Sequence, residues 1–262
     1  MDAPYTNTDR SFFAEKVIPN LHSDLPHDIS EKLFSYRHER ISKPIIFIGI
    51  TTSSIVAGAL RTYDAIKNYI DENAINADLV RVGSLGMCSF EPIVEVQLPG
   101  KSRVVFRNVS ADNVPSILDG ALNNFIHSDV ALFQYPSSIL ELWPDVPLMN
   151  EHPFFAKQNR LLLRNSGVIN PESIIDYIAS GGYSALAKTL RQYTCDSVCK
   201  TVEESGLRGR GGGGFSTGVK WRKALAFPTN ERYFICNADE SDPGAFMDRL
   251  LIESDPHRII EG

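Results

Sequence analysis

Cysteine is scarce in this chain of 262 residues and badly placed for cross-linking. Cys88, Cys195, Cys199 and Cys236 lie far apart or at helical spacing, and no C-x-x-C pair occurs. That pattern excludes a disulfide framework. Long apolar runs are missing as well. The longest, such as Ile45 to Ile50, fall far short of the roughly 20 residues that cross a bilayer. The polar start, Met1 to Arg10, lacks the apolar core of a secretory signal. A basic excess is absent too: the formal net charge is −6 with both signs mixed along the chain. A nucleic-acid binder would show a concentrated basic face. These absences lead to the expectation of a cytoplasmic protein of one or two domains, with no nucleic-acid partner and no membrane insertion. What is present, 43% hydrophobic and 22% charged residues, is enough for an ordinary packed core.

Residues 1–42 are polar and mixed and read as a loosely docked N-terminal extension, although Phe12, Phe13 and Val17 can share a helix face. From Lys43 the pattern sharpens. Pro44 to Ile50 is a continuous apolar run of buried-strand length, and Thr51 to Ser54 offer hydroxyls that can cap a helix. Ala57, Leu60, Tyr63, Ile66 and Ile70 then form a helical stripe. Ala77 to Val82 reads as a second strand. Pro92 to Leu98 and Arg103 to Val109 read as two more, joined at Pro99-Gly100, and Ala111 to Phe125 reads as a closing helix. The order β-α-β-β-β-α over residues 43–126 predicts a small thioredoxin-like α/β sandwich. Residues 127–190 read as a connecting and helical segment, divided by Pro136, Pro144, Pro147 and Pro153, with Asn170 capping a helix that has Pro171 in its first turn. Helices are expected over Ser184 to Gln192 and Cys195 to Ser205.

The most informative stretch follows. Gly209, Gly211, Gly212, Gly213, Gly214 and Gly218 are set among Arg208, Arg210 and Lys220. Glycine lets a backbone approach a ligand closely and aim successive N–H groups at one anion, and the cations add charge at the same place. A phosphate or pyrophosphate is the natural guest. Gly209-x-Gly211-x-x-Gly214 satisfies the letter of the dinucleotide fingerprint but follows a helix instead of a strand, so alone it is a weak signal. The P-loop pattern fails, because Val219 separates Gly218 from Lys220. A flexible linker is the bland alternative, but linkers seldom end in Phe215, Lys220 and Trp221. Downstream, Glu231 to Cys236 reads as a strand delivering Asn237, Asp239, Glu240 and Asp242 at its carboxyl end, where open α/β sheets place ligands. Asn237 and Asp239 can hydrogen-bond ribose or ribityl hydroxyls, and Glu240 and Asp242 can tune a redox ring or orient a nicotinamide.

Gly206 to Trp221 (GLRGRGGGGFSTGVKW) and Tyr233 onward (YFICNADESDPGAFMDRLLIESDPH) together closely resemble the NADH- and FMN-binding flavoprotein subunit of respiratory complex I. The same module occurs in soluble NAD-linked hydrogenases and formate dehydrogenases. The resemblance covers roughly residues 40 to 262 and is strongest from 150 onward. It implies a thioredoxin-like N-terminal domain followed, over residues 191–262, by an incomplete FMN/NADH-binding α/β domain. It implies that the loop from Gly209 through Arg210, Gly211, Gly212, Gly213 and Gly214 to Gly218, with Lys220, holds the FMN phosphate. Phe215 would stack on the adenine of NADH, and Asn237, Asp239 and Glu240 would contact the flavin. Glu240 and Asp242 would be the catalytic positions. Asp242 stands where the family usually has glutamate, and Lys223 where it often has an aromatic residue.

The implied reaction is hydride transfer between NADH and FMN, with electrons passed to iron–sulfur clusters of partner subunits in an NADH oxidoreductase, cytoplasmic or peripheral to a membrane complex. In relatives with this layout the thioredoxin-like domain holds a two-iron cluster on four cysteines. Here the matching loops are Thr51 to Ser54 and Gly83 to Cys88, and only Cys88 remains. One thiolate cannot hold such a cluster, so no metal is expected and this domain reads as a docking module. Cys195, Cys199 and Cys236 read as core residues. The family continues past Gly262, so the chain reads as truncated, with clusters expected only in the missing part or in partners. The competing reading is a non-catalytic docking fragment with a vestigial nucleotide half-site.

Overall fold

The computed structural model describes residues 6–262. The N-terminal stretch is helical where the sequence suggested a loose extension. Helix α1 (Asn7–Phe12) is opened by a reciprocal cap: Asp9 N donates to the Thr6 hydroxyl and Thr6 N to the Asp9 carboxylate. A π-helical turn continues to Val17 and buries Phe13 and Val17, and α2 (His27–Tyr36) buries Ile29, Leu33 and Tyr36. These apolar residues are few and widely spaced along a polar stretch, which is why the pattern reads weakly in sequence.

Next come β1 (Ile45–Gly49), α3 (Thr52–Val56), α4 (Ala59–Glu72), β2 (Asp78–Val82), β3 (Val94–Gln97), β4 (Val104–Phe106), α5 (Val114–Leu122) and β5 (Ala131–Gln134). The five strands form one sheet in the order β2-β1-β3-β4-β5. Strands β1 and β2 are parallel, with Phe47 opposite Val80. Each remaining neighbour pair, β1–β3, β3–β4 and β4–β5, is antiparallel. The first four strands with α4 and α5 have the thioredoxin-like arrangement that the sequence predicted. Ile46 and Ile48 of β1 pack with Val94, Val96 and Phe106 in a cluster that includes Ile66 of α4 and Leu118 of α5. Ile45 and Phe47 sit in a separate cluster with Val82, while Val105 and Phe133 join Leu85, Met87 and Phe155 in a third. Burial on both faces explains why β1 is apolar at every position instead of alternating.

Strand β5 was not expected. It is four residues long and lies between proline-punctuated stretches, and its place is fixed by a polar residue. The Gln134 amide donates to Trp143 O and Val146 O at 2.9 and 2.7 Å and accepts from Trp143 N at 2.7 Å. The buried Trp143 indole N–H in turn donates to Ser102 O at 2.7 Å. The helix after residue 170 is also shorter than predicted: α6 spans Ile174–Ala179 and is capped by Ser173, whose hydroxyl accepts from Asp176 N at 3.1 Å. Asn170 instead closes a turn, accepting from Glu172 N at 3.0 Å, the ordinary behaviour of an Asn-Pro pair.

The chain continues through α7 (Ser184–Gln192), α8 (Cys195–Glu204), α9 (Thr217–Ala226), α10 (Met247–Ser254) and α11 (Pro256–Glu261). It forms two compact units. One joins the residues up to Ile29 with Tyr183–Asp239; the other joins Ser30–Gly182 with Glu240–Gly262. Among the described residues no helix is long and apolar enough to cross a membrane.

Candidate nucleotide-binding site

The glycine loop lies in the unit built from α7, α8 and α9. It leaves α8, as the sequence predicted, and feeds directly into α9. Its neck is closed by two backbone bonds, Gly209 N to Phe215 O at 2.9 Å and Thr217 N to Leu207 O at 3.0 Å. The Arg208 guanidinium ties the neck again by donating to Gly214 O at 3.0 Å. Beyond the neck the tip is open: a Cβ added at Gly211, Gly212, Gly213 or Gly214 would meet nothing within 4 Å. Gly212 and Gly214 adopt φ of +94° and +59°, conformations that side-chain-bearing residues avoid. The tip is therefore bare backbone facing space, with Arg210 exposed beside it.

Helix α9 begins at the end of this loop. Ser216 is its N-cap, its hydroxyl accepting from Val219 N at 3.4 Å. The first turn of a helix leaves N–H groups without helical partners and carries partial positive charge, which suits an anion. Lys220 stands in that turn, with Nζ 3.7 Å from the position a Cβ at Gly209 would take. Lys220 and Lys223 also place their ammoniums over the Phe215 ring, 5.9 and 5.2 Å from its centroid.

Gly218 does different work from the other glycines. It is buried in α9, and a Cβ there would stand 2.4 Å from Glu203 N and 2.5 Å from Glu203 Cα. It lets α8 and α9 touch backbone to backbone. Arg222 braces the same contact through Asp196 at 2.8 Å and Glu203 at 3.1 Å.

The predicted strand over Glu231 to Cys236 does not form. No strand among the described residues pairs with it, and Tyr233, Phe234 and Ile235 are exposed. An isolated strand has no ladder to satisfy its backbone, so the β-forming sequence stays unpaired. Cys236 and Cys195 are exposed and only Cys199 of these three is a core residue, which corrects the sequence expectation. Arg232 anchors the segment by donating to Ala224 O, Leu225 O and Phe227 O at the end of α9. Asn237 accepts from Asp239 N at 2.8 Å, a local turn that leaves both side chains exposed.

Glu240 and Asp242 belong to the other unit. The Glu240 carboxylate accepts from Asp248 N and Arg249 N at 3.0 and 3.2 Å and so caps α10. Those backbone bonds, Asp248 N foremost, hold its pKa below the usual carboxylate value. Asp242 is exposed, and its carbonyl accepts from Ala245 N in a turn. The loop residues Gly209 to Lys220 are thus gathered in one place, with Asn237 and Asp239 in the same unit and Glu240 and Asp242 outside it.

In that second unit the loops after β1 and β2 are engaged by the chain's own C-terminal segment. Thr52 donates to Glu253 through both its N–H and its hydroxyl. Ser84 N donates to Ser254 Oγ at 3.0 Å, and a Cβ at Gly83 would collide with Ser254. Buried Asn165 donates to Asp255 at 2.8 Å. Cys88 is exposed, and no group of three metal-ligating side chains occurs among the described residues. The sequence reading missed Ser254, Glu253 and Asn165, which show no periodicity. It also passed over Ser216, although a serine at the start of a helical stretch is a recognisable cap signal.

In comparison with known proteins, residues 202–262 match the model of the family described as the Nuo51 FMN-binding domain, Complex1_51K. The NADP-reducing hydrogenase subunit HndC of Solidesulfovibrio fructosivorans is 54% identical over 105 residues, covering 40% of this chain and 21% of that protein. The F 2 subunit of the NADH-quinone oxidoreductase of Rhizobium meliloti (strain 1021) is 49% identical over 102 residues, covering 39% and 24%. The matched segment therefore spans between a fifth and a quarter of these relatives. Among solved structures, a thioredoxin-like [2Fe-2S] ferredoxin from Aquifex aeolicus aligns at 14% identity over 37% of this chain and 96% of its own, with a TM-score of 0.32. The thioredoxin-like assignment rests on the strand order β2-β1-β3-β4. By sequence, the segment from residue 202 to residue 262 is similar to the Nuo51 FMN-binding domain.

Proposed function

We propose that this chain is part of an FMN-dependent NADH oxidoreductase subunit and that the glycine loop with Lys220 holds the FMN phosphate. The observation that carries this reading is the open loop tip, Gly211 to Gly214, closed at its neck and set at the start of α9 beside an ammonium. Bare backbone N–H groups, a helix N-terminus and a cation are the donor set a phosphomonoester requires. FMN, when bound, supplies the hydride acceptor and the conversion between two-electron and one-electron transfer.

The residues of this chain do the holding. Ser216 and Arg208 fix the loop, Lys220 neutralises the phosphate, and Gly218 keeps α9 against α8. Phe215, 46% exposed, offers a face on which the adenine of NADH stacks. Asn237 and Asp239 present a donor and acceptors to ribityl or ring atoms. Glu240 and Asp242 are the acidic positions assigned to the reacting end. Glu240 is preorganised by its bonds to the start of α10. The relatives named as oxidoreductase and hydrogenase subunits support a multi-subunit assembly; in the proposed reading, iron–sulfur partners take the electrons. The thioredoxin-like domain then serves docking, with its β1 and β2 loops held by Glu253 and Ser254 of the same chain. The location read from sequence, cytoplasmic or peripheral to a membrane complex, is part of the proposal.

Anaerobic addition of NADH to FMN-loaded protein tests the activity. Loss of the flavin absorption band, with recovery on exposure to an oxidant, is the expected result. A flavin band unchanged by excess NADH would leave the docking reading in its place.

A further inference from the structure

The unit carrying the glycine loop holds more positive charge than the loop uses. Arg222 is paired with Asp196 and Glu203, Arg208 closes the neck, and Arg232 is spent on carbonyls at the end of α9. Lys220 belongs to the loop, beside Gly209. Lys223, like Arg210 at the loop tip, is not used in these contacts. It forms no ion pair among the described residues, lies one helical turn beyond Lys220, and rests its ammonium over Phe215 at 5.2 Å. Two unpaired ammoniums thus meet on one aromatic ring that is still 46% exposed.

We propose that Lys223 is a specificity residue for a dinucleotide whose adenosine carries a 2′-phosphate, so that this unit binds the 2′-phosphorylated nicotinamide dinucleotide more tightly than the unphosphorylated one. This rests on the reading that a dinucleotide stacks its base on Phe215. A base stacked on the exposed part of the ring would bring its ribose within reach of the Lys223 ammonium, which lies only 5.2 Å from the ring centroid. A 2′-phosphate delivers nearly two negative charges to that point and draws Lys223 off the ring into a charge-assisted hydrogen bond. A 2′-hydroxyl delivers none, and Lys223 then stays on the ring and competes with the base through its cation–π contact. One side chain therefore favours the first ligand and opposes the second.

The test is calorimetric titration of the full 262-residue chain at low salt with three probes: adenosine 2′,5′-bisphosphate, adenosine 3′,5′-bisphosphate and 5′-ADP. FMN retention after desalting is read on the same sample. The 2′,5′ probe should bind about tenfold tighter than the other two, the factor expected of one charge-assisted hydrogen bond. Lys223→Met should bring the three within about twofold by losing that bond. Lys200→Met, which removes a lysine paired with Glu204 on α8, should leave the ratio as it was. A wild-type ratio near one, a ratio that survives in Lys223→Met, or equal binding of the 3′,5′ probe overturns the proposal. Flavin retained with a ratio near one sinks this inference and spares the flavin reading. A tenfold ratio without flavin does the reverse, and no binding of any ligand sinks both.

Discussion

Gly218→Ala is the sharpest perturbation of the α8–α9 pair, because it adds one carbon where the structure has no room. The new Cβ would stand 2.4 Å from Glu203 N and 2.5 Å from Glu203 Cα. Both are backbone atoms of a neighbouring helix, so no rotamer change relieves the clash and the two helices must part. Overpacking of a tight interior costs about 1–3 kcal/mol, and backbone-to-backbone contact puts this case near the upper end. Alanine returns about 1 kcal/mol as a better helix former than glycine. The net is a destabilisation of about 2 kcal/mol, or roughly a 30-fold rise in the population of the parted helices. Amide hydrogen exchange reads this directly, since protection follows the free energy of local opening. Protection over Cys195–Glu204 and Thr217–Ala226 should fall by about that factor, while β1, β3 and β4 in the other unit serve as an internal control and stay unchanged. Unchanged or increased protection in the two helices would refute the argument that Gly218 is there to let them touch.

Four further outcomes follow from other parts of the structure. Ser254→Ala keeps the Cβ that packs on Gly83 but leaves the buried Ser84 N–H without its acceptor, so urea unfolding should show a loss of about 1–3 kcal/mol. Acidification should destabilise the unit containing the sheet: His38 has its pKa lowered chiefly by burial, as do His152 and His257. The folded state therefore disfavours their protonation, so stability is full above the unfolded value near 6.5 and declines as pH falls below it. His38→Asn, which tolerates the left-handed backbone at this position (φ 59°), should flatten part of that decline in urea midpoints measured at mildly acidic and neutral pH. Thiol titration with a chromogenic disulfide should find Cys88, Cys195 and Cys236 reacting quickly and Cys199 only on unfolding; a slow Cys236 would mean that Glu231 to Cys236 is covered after all. Lys220→Met should weaken FMN binding severalfold or more by losing a charge-assisted contact, with the far-ultraviolet spectrum unchanged.

The sheet was legible because its signals are local. Pro44 to Ile50 is apolar at every position, and only a strand buried on both faces needs that. The helical stripe through Tyr63, Ile66 and Ile70 marks the layer packed on it. Strand β5 was not legible, because what fixes it is the Gln134 amide reaching Trp143 and Val146, a contact that no periodicity announces. The glycine loop was conspicuous for the opposite reason, a run of glycines among cations directly after a helix, whereas α9, which it feeds, was not read even though Ser216 is a recognisable cap. The acidic cluster was only partly readable. Asn237 and Asp239 read as neighbours of Glu240 and Asp242, yet the chain passes from one compact unit to the other between residues 239 and 240. The supposed strand before them misled the reading because β-forming residues need a partner strand, and partner strands are set by tertiary structure.

Visible absorption of the purified chain after incubation with FMN and desalting asks most directly whether the loop holds a flavin. Flavin bands should survive desalting in the native chain and be lost in Gly212→Val, whose side chain cannot take up the φ of +94° that the loop tip needs. A folded sample that keeps no flavin, or a Gly212→Val variant that keeps as much as the native chain, would contradict the claim that this loop is a phosphate cradle.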